Sequence, residues 1–207
     1  DARGNAGRVE RRSFDEAGKL LDIQVTENLK TDSRGNPLEQ VVTLKDEKGK
    51  AISSSRISNS GIDARGNPAK SVRDNFDGDG KRIDSQETAN TSFDYRGNIL
   101  TQTLTTKDET GKVVSVVDVV NEDFNTRGSP GKTTRTTKDP SGKVIEIQET
   151  LNKKLDKRGN VLEQVTTTKD AAGAVLRTVE TVNSELDSRG NAHRTSLTTK
   201  DEKGEVV

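Results

Sequence analysis

Cysteine, methionine and tryptophan are absent from this chain of 207 residues, and histidine occurs once. Without cysteine the chain has no disulfide framework, no thiolate nucleophile and no cysteine-ligated metal. The absence of oxidisable side chains is typical of a protein exposed outside the cell. We therefore expect an extracellular or cell-surface location.

Aromatic residues make up 2% of the chain and hydrophobic residues 27%, which is well below the usual apolar share of a globular domain. A thick hydrophobic core is therefore not expected. Lys plus Arg and Asp plus Glu each total 34, so the formal net charge is zero. This balance does not favour binding to nucleic acid. No apolar run is long enough to cross a membrane, so we expect no membrane insertion.

Two short phrases recur along the whole chain with a period of 31 residues. The first, typified by D-x-R-G-N, begins at residues 1, 32, 63, 94, 125, 156 and 187, and the second has its Asp at 15, 46, 77, 108, 139, 170 and 201. A fixed period of this length indicates a tandem array. We interpret residues 1–207 as a single array whose seventh repeat is incomplete, and we expect it to be a segment of a longer chain.

Both phrases place Asp at the first and Gly at the fourth position of a four-residue turn. The Asp accepts hydrogen bonds from the backbone ahead of it, and the Gly enters the left-handed region without a Cβ clash. The sequence therefore predicts hairpin turns with a glycine bulge. The predicted turn residues are Asp32, Gly35, Asp46, Gly49, Asp94, Gly97, Asp108, Gly111, Asp156, Gly159, Asp170 and Gly173.

The segments between the turns are rich in Thr and Val, which predicts strands throughout. In the longer segment the apolar residues alternate with a period of two, which predicts one apolar face there. We predict an all-β antiparallel meander or ribbon with two strands per repeat. The alternative is a β-solenoid with one 31-residue coil per repeat, in which the recurrent Asn at 28, 59, 90, 121, 152 and 183 would form a ladder.

Alternate repeats differ two residues after the first phrase. Leu38, Leu100 and Leu162 stand where other repeats have Gly, Ala or His193. This difference favours a structural unit of 62 residues in which the three leucines are buried.

The combination of D-x-R-G-N, a Thr-rich strand and a second D-x-x-G-K, as in FDYRGNILTQTLTTKDETGKVV at 93–114, resembles the bacterial RHS or YD-repeat family. The resemblance implies strand–turn–strand repeats that spiral into a β-sheet shell in a large secreted or surface protein, often around a toxin. The position before Asp, which would be Tyr in that family, is Phe, Leu, Ile, Lys or Thr here. This departure favours a narrow ribbon or stacked fibre.

N-F-D-G-D-G at 75–80 is similar to the opening of a calcium loop, with Asn75, Asp77 and Asp79 at alternate positions. The twelfth position is Gln86 rather than Glu, and every repeat has a turn here. We interpret the segment as a turn and treat those three residues as the metal candidates. The single histidine, His193, permits neither a histidine-based metal site nor a Ser-His-Asp triad. We predict no enzyme activity and no cofactor.

Two recurrent polar residues have alternative interpretations. The Asn column could contact glycan or ligand, with Asn90-Thr91-Ser92 as a glycosylation sequon, but a side-chain hydrogen bond to backbone or a bulge is favoured. The turn Arg could form a cationic row for an anionic glycan, but pairing with neighbouring Asp and Glu is favoured. Its positions are Arg3, Arg34, Arg65, Arg96, Arg127, Arg158 and Arg189.

The sequence therefore favours a structural extracellular β-repeat protein that forms a filament, stalk or surface fibre by self-association. The first alternative is an adhesin that binds a surface glycan or a partner surface. The second is an RHS-like shell segment of a secreted toxin. We expect the chain itself to be its main partner.

Overall fold

The computed structural model describes residues 6–187 and 189–207. In this part of the chain there are thirteen β-strands and no helix, hence no helix long and apolar enough to cross a membrane. The strands are β1 Arg8–Phe14, β2 Leu20–Thr31, β3 Pro37–Asp46, β4 Ala51–Ser60, β5 Lys70–Asp77, β6 Arg82–Phe93, β7 Ile99–Lys107, β8 Val113–Glu122, β9 Lys132–Lys138, β10 Val144–Leu155, β11 Val161–Asp170, β12 Val175–Leu186 and β13 Ala192–Lys200.

The sheet order follows the chain order from β1 to β13. The strand pairs are antiparallel, as in β2 with β3 and β11 with β12. A solenoid would instead pair equivalent strands of successive repeats in parallel. The prediction of an all-β antiparallel meander with two strands per repeat is confirmed, and the solenoid alternative is wrong.

The chain divides into two compact units. The first contains residues 1–90 and 104–114, and the second contains residues 91–103 and 115–207. In the first unit, β1 to β5 and most of β6 form consecutive hairpins. In the second, most of β8 and all of β9 to β13 do the same.

Neither unit encloses a conventional core. Of the described residues only Val25, Val119, Ser85 and Thr168 are buried, and none of the side chains is completely enclosed. In the first unit the cross-strand pairs place Ile23 and Val25 on one face, whereas Val42, which faces Thr26, lies on the other. Aliphatic residues therefore lie on both faces of a one-layer sheet, because Val42 of the shorter segment lies opposite to Ile23 and Val25 of the longer segment.

The backbone shows the 62-residue rhythm. Gly61, Asp123 and Glu185 have φ values of 64°, 56° and 54°, and their positions are separated by two repeats. A left-handed conformation disfavours residues with a Cβ, so these positions mark a special bend before the first-phrase turn of alternate repeats. The leucines expected to be buried, Leu38, Leu100 and Leu162, are only half-buried because no second layer covers them.

Candidate interaction surface

The two phrases form the same kind of turn. The N–H of Gly35 donates to the Asp32 carbonyl at 3.1 Å, and Asp32 Oδ1 accepts from the N–H groups of Arg34 and Asn36 at 2.8 and 2.9 Å. In the second phrase Asp46 Oδ1 receives its two backbone N–H groups at 2.9 and 2.8 Å. The same backbone bond joins Gly49 to Asp46, Gly97 to Asp94, Gly111 to Asp108, Gly159 to Asp156 and Gly173 to Asp170.

The turn glycines differ in how much space surrounds them. A Cβ on Gly128 would lie 2.6 Å from Asn98 Oδ1, and one on Gly190 would lie 2.5 Å from Asn160 Oδ1. A Cβ on Gly111 or Gly173, in the second phrase, would meet nothing within 4 Å. First-phrase turns therefore crowd their neighbours, whereas second-phrase turns leave open space beside their glycines.

The first-phrase carboxylates carry an additional bond. Asn36 Nδ2 donates to Asp32 Oδ2 at 2.9 Å, and this bond, together with the turn N–H groups and Arg34, lowers the pKa of Asp32 to about 2 against the opposing effect of burial. Side-chain bonds from Asn160 and Asn191 likewise lower the pKa of Asp156 and Asp187. These carboxylates are held ionised as parts of the turns.

The Asn column joins strands across each repeat. Each side-chain amide donates to a backbone carbonyl 22 residues earlier, at distances of 2.8 to 3.0 Å. The pairs are Asn28 with Ala6, Asn59 with Pro37, Asn90 with Pro68, Asn121 with Ile99, Asn152 with Pro130 and Asn183 with Val161. In Asn90 this Nδ2 is the atom to which an N-linked glycan would be attached, so glycosylation would require the bond to Pro68 to break.

The Arg column contacts mainly backbone. Arg34 and Arg127 donate to the carbonyls of Ile62 and Arg158, both at 3.3 Å, and Arg96 donates to that of Asn125 at 3.2 Å. These carbonyls lie just before or within the next first-phrase turn. Arg34 also lies 3.6 Å from Asp32. The expected pairing with acidic residues thus accounts for part of the arrangement, and Arg3 lies outside the described residues.

The metal candidates Asn75 and Asp77 form hydrogen bonds between strands and within a turn. Asn75 Nδ2 donates to Asp84 at 2.6 Å, and Ser55 Oγ donates to Asn75 Oδ1 at 2.7 Å. Asp77 Oδ1 accepts the N–H of Asp79 at 3.0 Å as an ordinary turn aspartate. Over residues 6–187 and 189–207, no group of three or more His, Cys, Asp or Glu residues is arranged to hold a metal ion.

Close packing requires a glycine at the first Gly of N-F-D-G-D-G. A Cβ on Gly78 would lie 2.6 Å from the carbonyl oxygen of Ala51. The segment whose sequence is similar to a calcium loop is therefore a place where adjacent hairpins are in close contact. His193 is exposed, and its charge contributes to the lowered pKa of nearby Asp187.

Lysines at the ends of short strands form a second recurrent pattern. Lys107, at the end of β7, lies 3.6 Å from Glu87. In the second unit the lysine again pairs with an acid 20 residues earlier, in Lys138 with Asp118, Lys169 with Glu149 and Lys200 with Glu180. These lysines belong to the Thr-Thr-Lys-Asp runs, and an acidic residue 20 positions earlier balances the charge of each.

A row of exposed apolar side chains lies beside the second-phrase turns of the first unit. Leu21, Ile52, Ile83 and Val114 stand at the third place after the turn glycine and are 52%, 48%, 49% and 45% exposed. Ile145 and Leu176 hold the same position in the second unit and are exposed to a similar degree. The period-two alternation identified these side chains but not their exposure.

Phenylalanine and lysine alternate on the strands that lie between those aliphatic residues. Phe14 is at the end of β1, Lys45 near the end of β3, Phe76 on β5 and Lys107 at the end of β7. The pairs Ile23 with Lys45 and Ser54 with Phe76 place Lys45 and Phe76 on the face that carries Ile23 and, two residues before it, Leu21. Phe14 lies two residues after Arg12, which pairs with Ile23, and Lys107 contacts Glu87, which shares that face through its pair with Val72. We call the set Phe14, Leu21, Lys45, Ile52, Phe76, Ile83 and Lys107 the Phe–Lys row.

Comparison with known proteins yields no family. No protein-family model and no curated protein matches the chain. Among solved structures it is similar to one chain in the crystal structure of TcdB2-TccC3-Cdc42, with 12% identity over 97% of this chain and 14% of that chain, and a TM-score of 0.17. This chain therefore spans about one seventh of that one, and a similarity of this size supports no conclusion about fold or function.

Proposed function

We propose that this chain is a structural, non-catalytic β-repeat protein outside the cell that forms a filament, stalk or surface fibre by self-association. The observation that carries this proposal is the repetition of the same bonds in successive hairpins. Over the described residues the repeats share the Asp-Gly turns, with Asn125 to Gly128 in place of one of them, and an Asn side chain that donates to a carbonyl 22 residues earlier. In an array built from such repeats, adding repeats makes the protein longer and leaves the structure of each repeat the same.

The exposed aliphatic residues support the self-association part of the proposal. They recur once per repeat at nearly constant exposure, so a longer array presents more of the same surface. Exposed apolar patches mark interaction sites when they are contiguous. A surface that grows with repeat number suits lateral association between copies.

Electron microscopy of purified protein with increasing repeat number tests the proposal. Filaments or laterally joined fibres that lengthen with repeat number are the expected result. Uniform single particles at every concentration and repeat number would exclude the filament function. A chain with the Asn column replaced by Ala serves as the folding-defective control.

An RHS-like shell segment is the alternative that the D-x-R-G-N phrase supports. That phrase builds the first-phrase hairpins here, which are strand–turn–strand units of the kind that the family resemblance implies. Closed particles that protect a cargo from protease, formed by this chain with added repeats, would favour the shell over the fibre.

A further inference from the structure

We propose that the Phe–Lys row is the docking surface for a second copy of this chain, related by a two-fold axis that passes through Ile52. The inference rests on the proposed self-association and names its surface and partner. Its starting point is the order of side chains across β1 to β7. That order is Phe14, Leu21, Lys45, Ile52, Phe76, Ile83 and Lys107.

Reversing this order pairs unlike but complementary residues. Phe14 then faces Lys107, Leu21 faces Ile83, Lys45 faces Phe76, and Ile52 faces its own copy. A two-fold interface requires this reciprocity, because each contact must occur twice with the partners exchanged. A parallel alignment would instead place Phe on Phe and Lys on Lys.

The spacing is compatible with simultaneous contacts. Successive Phe and Lys residues lie two strands apart, which corresponds to about 9.6 Å at the usual strand spacing. A second copy has the same spacing, so all contacts along the row can form together. A lysine over an aromatic ring is attracted by the negative face of the ring, which gives the reversed alignment its charge complementarity.

The two lysines of the row have fewer or more distant acidic partners than the equivalent lysines of the second unit. The place 20 residues before Lys45 is occupied by the buried Val25, whereas the lysines from Lys107 onward have an acid at that place. Lys107 shares Glu87 with Lys70, whose Nζ lies closer to that carboxylate, at 2.7 Å against 3.6 Å. Both ammonium groups are therefore less engaged with carboxylates and can approach a partner's aromatic ring.

The exposure of the row also suits docking. Phe14 is 57% exposed, and its aliphatic neighbours are about half exposed. Val9 provides a matched control on the same strand, since it is 50% exposed and faces Thr26 on the opposite side of the sheet.

Sedimentation velocity over a concentration series tests the proposal with the 207-residue chain. We expect a reversible dimer, and Phe14→Lys should raise its dissociation constant at least tenfold because it places two lysines opposite each other. Phe76→Lys should do the same, and adding Lys45→Phe to it should restore dimerisation, since a Phe and a Lys then face each other again. Val9→Lys should leave the constant within about twofold of the original.

A monomeric chain at every concentration would overturn the row, as would unchanged dimerisation in Phe14→Lys or failure of the double swap to restore it. Far-ultraviolet circular dichroism shows whether each variant is folded, and Phe14→Lys keeps the test decisive if the half-buried Phe76 position does not tolerate Lys. Filaments that form equally well with Phe14→Lys would overturn the row and leave the proposed function standing. A dimer that depends on the Phe–Lys row but never forms filaments would support the row and overturn the proposed filament function.

Discussion

The side-chain amide of Asn59 donates a hydrogen bond of 2.9 Å to the carbonyl of Pro37. Pro37 begins β3, and Asn59 lies near the end of β4, so the bond fastens the two ends of a hairpin. Pro37 lies two residues before Glu39, where the pairing of β3 with β4 begins, and an unpaired backbone group costs free energy when water cannot reach it. The column of such bonds therefore stabilises the part of each repeat farthest from the second-phrase turn.

Replacing Asn59 with Leu should lower the free energy of unfolding by about 1–3 kcal/mol, because it removes the donor and leaves the Pro37 carbonyl without this partner. Urea denaturation followed by circular dichroism measures the change. Ser58→Ala, at an exposed neighbouring position, is the control and should stay within about 0.5 kcal/mol of the original. Equal effects from the two variants would contradict a stabilising role for the column.

Acid should weaken the first-phrase turns. Asn36 and the turn N–H groups lower the pKa of Asp32 from 3.8 to about 2, so the ionised form stabilises the fold. This contribution is complete above the unfolded-state pKa, near pH 4, and is lost as the pH falls through about 2. Asp32→Asn should therefore be less stable than the original at pH 6, and the difference should shrink between pH 4 and pH 2.

Urea midpoints at pH 6, 4 and 2 measure that difference. The variant has a natural precedent in Asn125, whose Oδ1 accepts the N–H groups of Arg127 and Ser129 at 2.8 and 3.0 Å. The turn is therefore expected to form in Asp32→Asn. A difference between the two proteins that does not change with pH would show that the carboxylate charge has no part in stability.

The sequence predicted the local structure well because turn chemistry is local. Asp32 and Gly35 sit three residues apart, and the bonds that fix their turn involve no residue beyond Asn36. A side-chain bond to backbone was also the favoured interpretation of Asn59. Its acceptor, Pro37, could not be predicted from the period alone, since it depends on which strands become neighbours.

The sequence did not predict the Phe–Lys row, and the reason differs from that for the Pro37 acceptor. Period-two alternation shows that Leu21 and Ile23 share a face, but it does not show what covers that face. In a one-layer sheet nothing from the same unit does, and Leu21 stays 52% exposed. The alternation of Phe14, Lys45 and Phe76 at 31-residue intervals was the available signal.

Half-burial changes the expected cost of truncating the alternate leucines. Leu100→Ala should lower the free energy of unfolding by about 1–2 kcal/mol, less than the 2–5 kcal/mol typical of enclosed cores, because part of the side chain is already in contact with water. Ala69→Ser, at the exposed equivalent position, should have little effect. Indistinguishable urea midpoints for the two variants would mean that the 62-residue rhythm has no energetic consequence.

Crowding between first-phrase turns should make their glycines harder to replace. Gly128 and Gly142 have similar φ values of 83° and 87°, so alanine should cost each about 1–2 kcal/mol through the backbone alone. Only Gly128 has a close neighbour, because its Cβ would lie 2.6 Å from Asn98 Oδ1, whereas Gly142 has nothing within 4 Å.

Moving Asn98 aside would break its bond of 2.8 Å to Asp94, so Gly128→Ala should cost about 1 kcal/mol more than Gly142→Ala. Urea unfolding of a double-mutant cycle isolates this part. Once Asn98→Ala is present, Gly128→Ala should cost no more than Gly142→Ala, because the obstructing side chain is gone. If the excess cost of Gly128→Ala persists without the Asn98 side chain, stacking of the turns is not its cause.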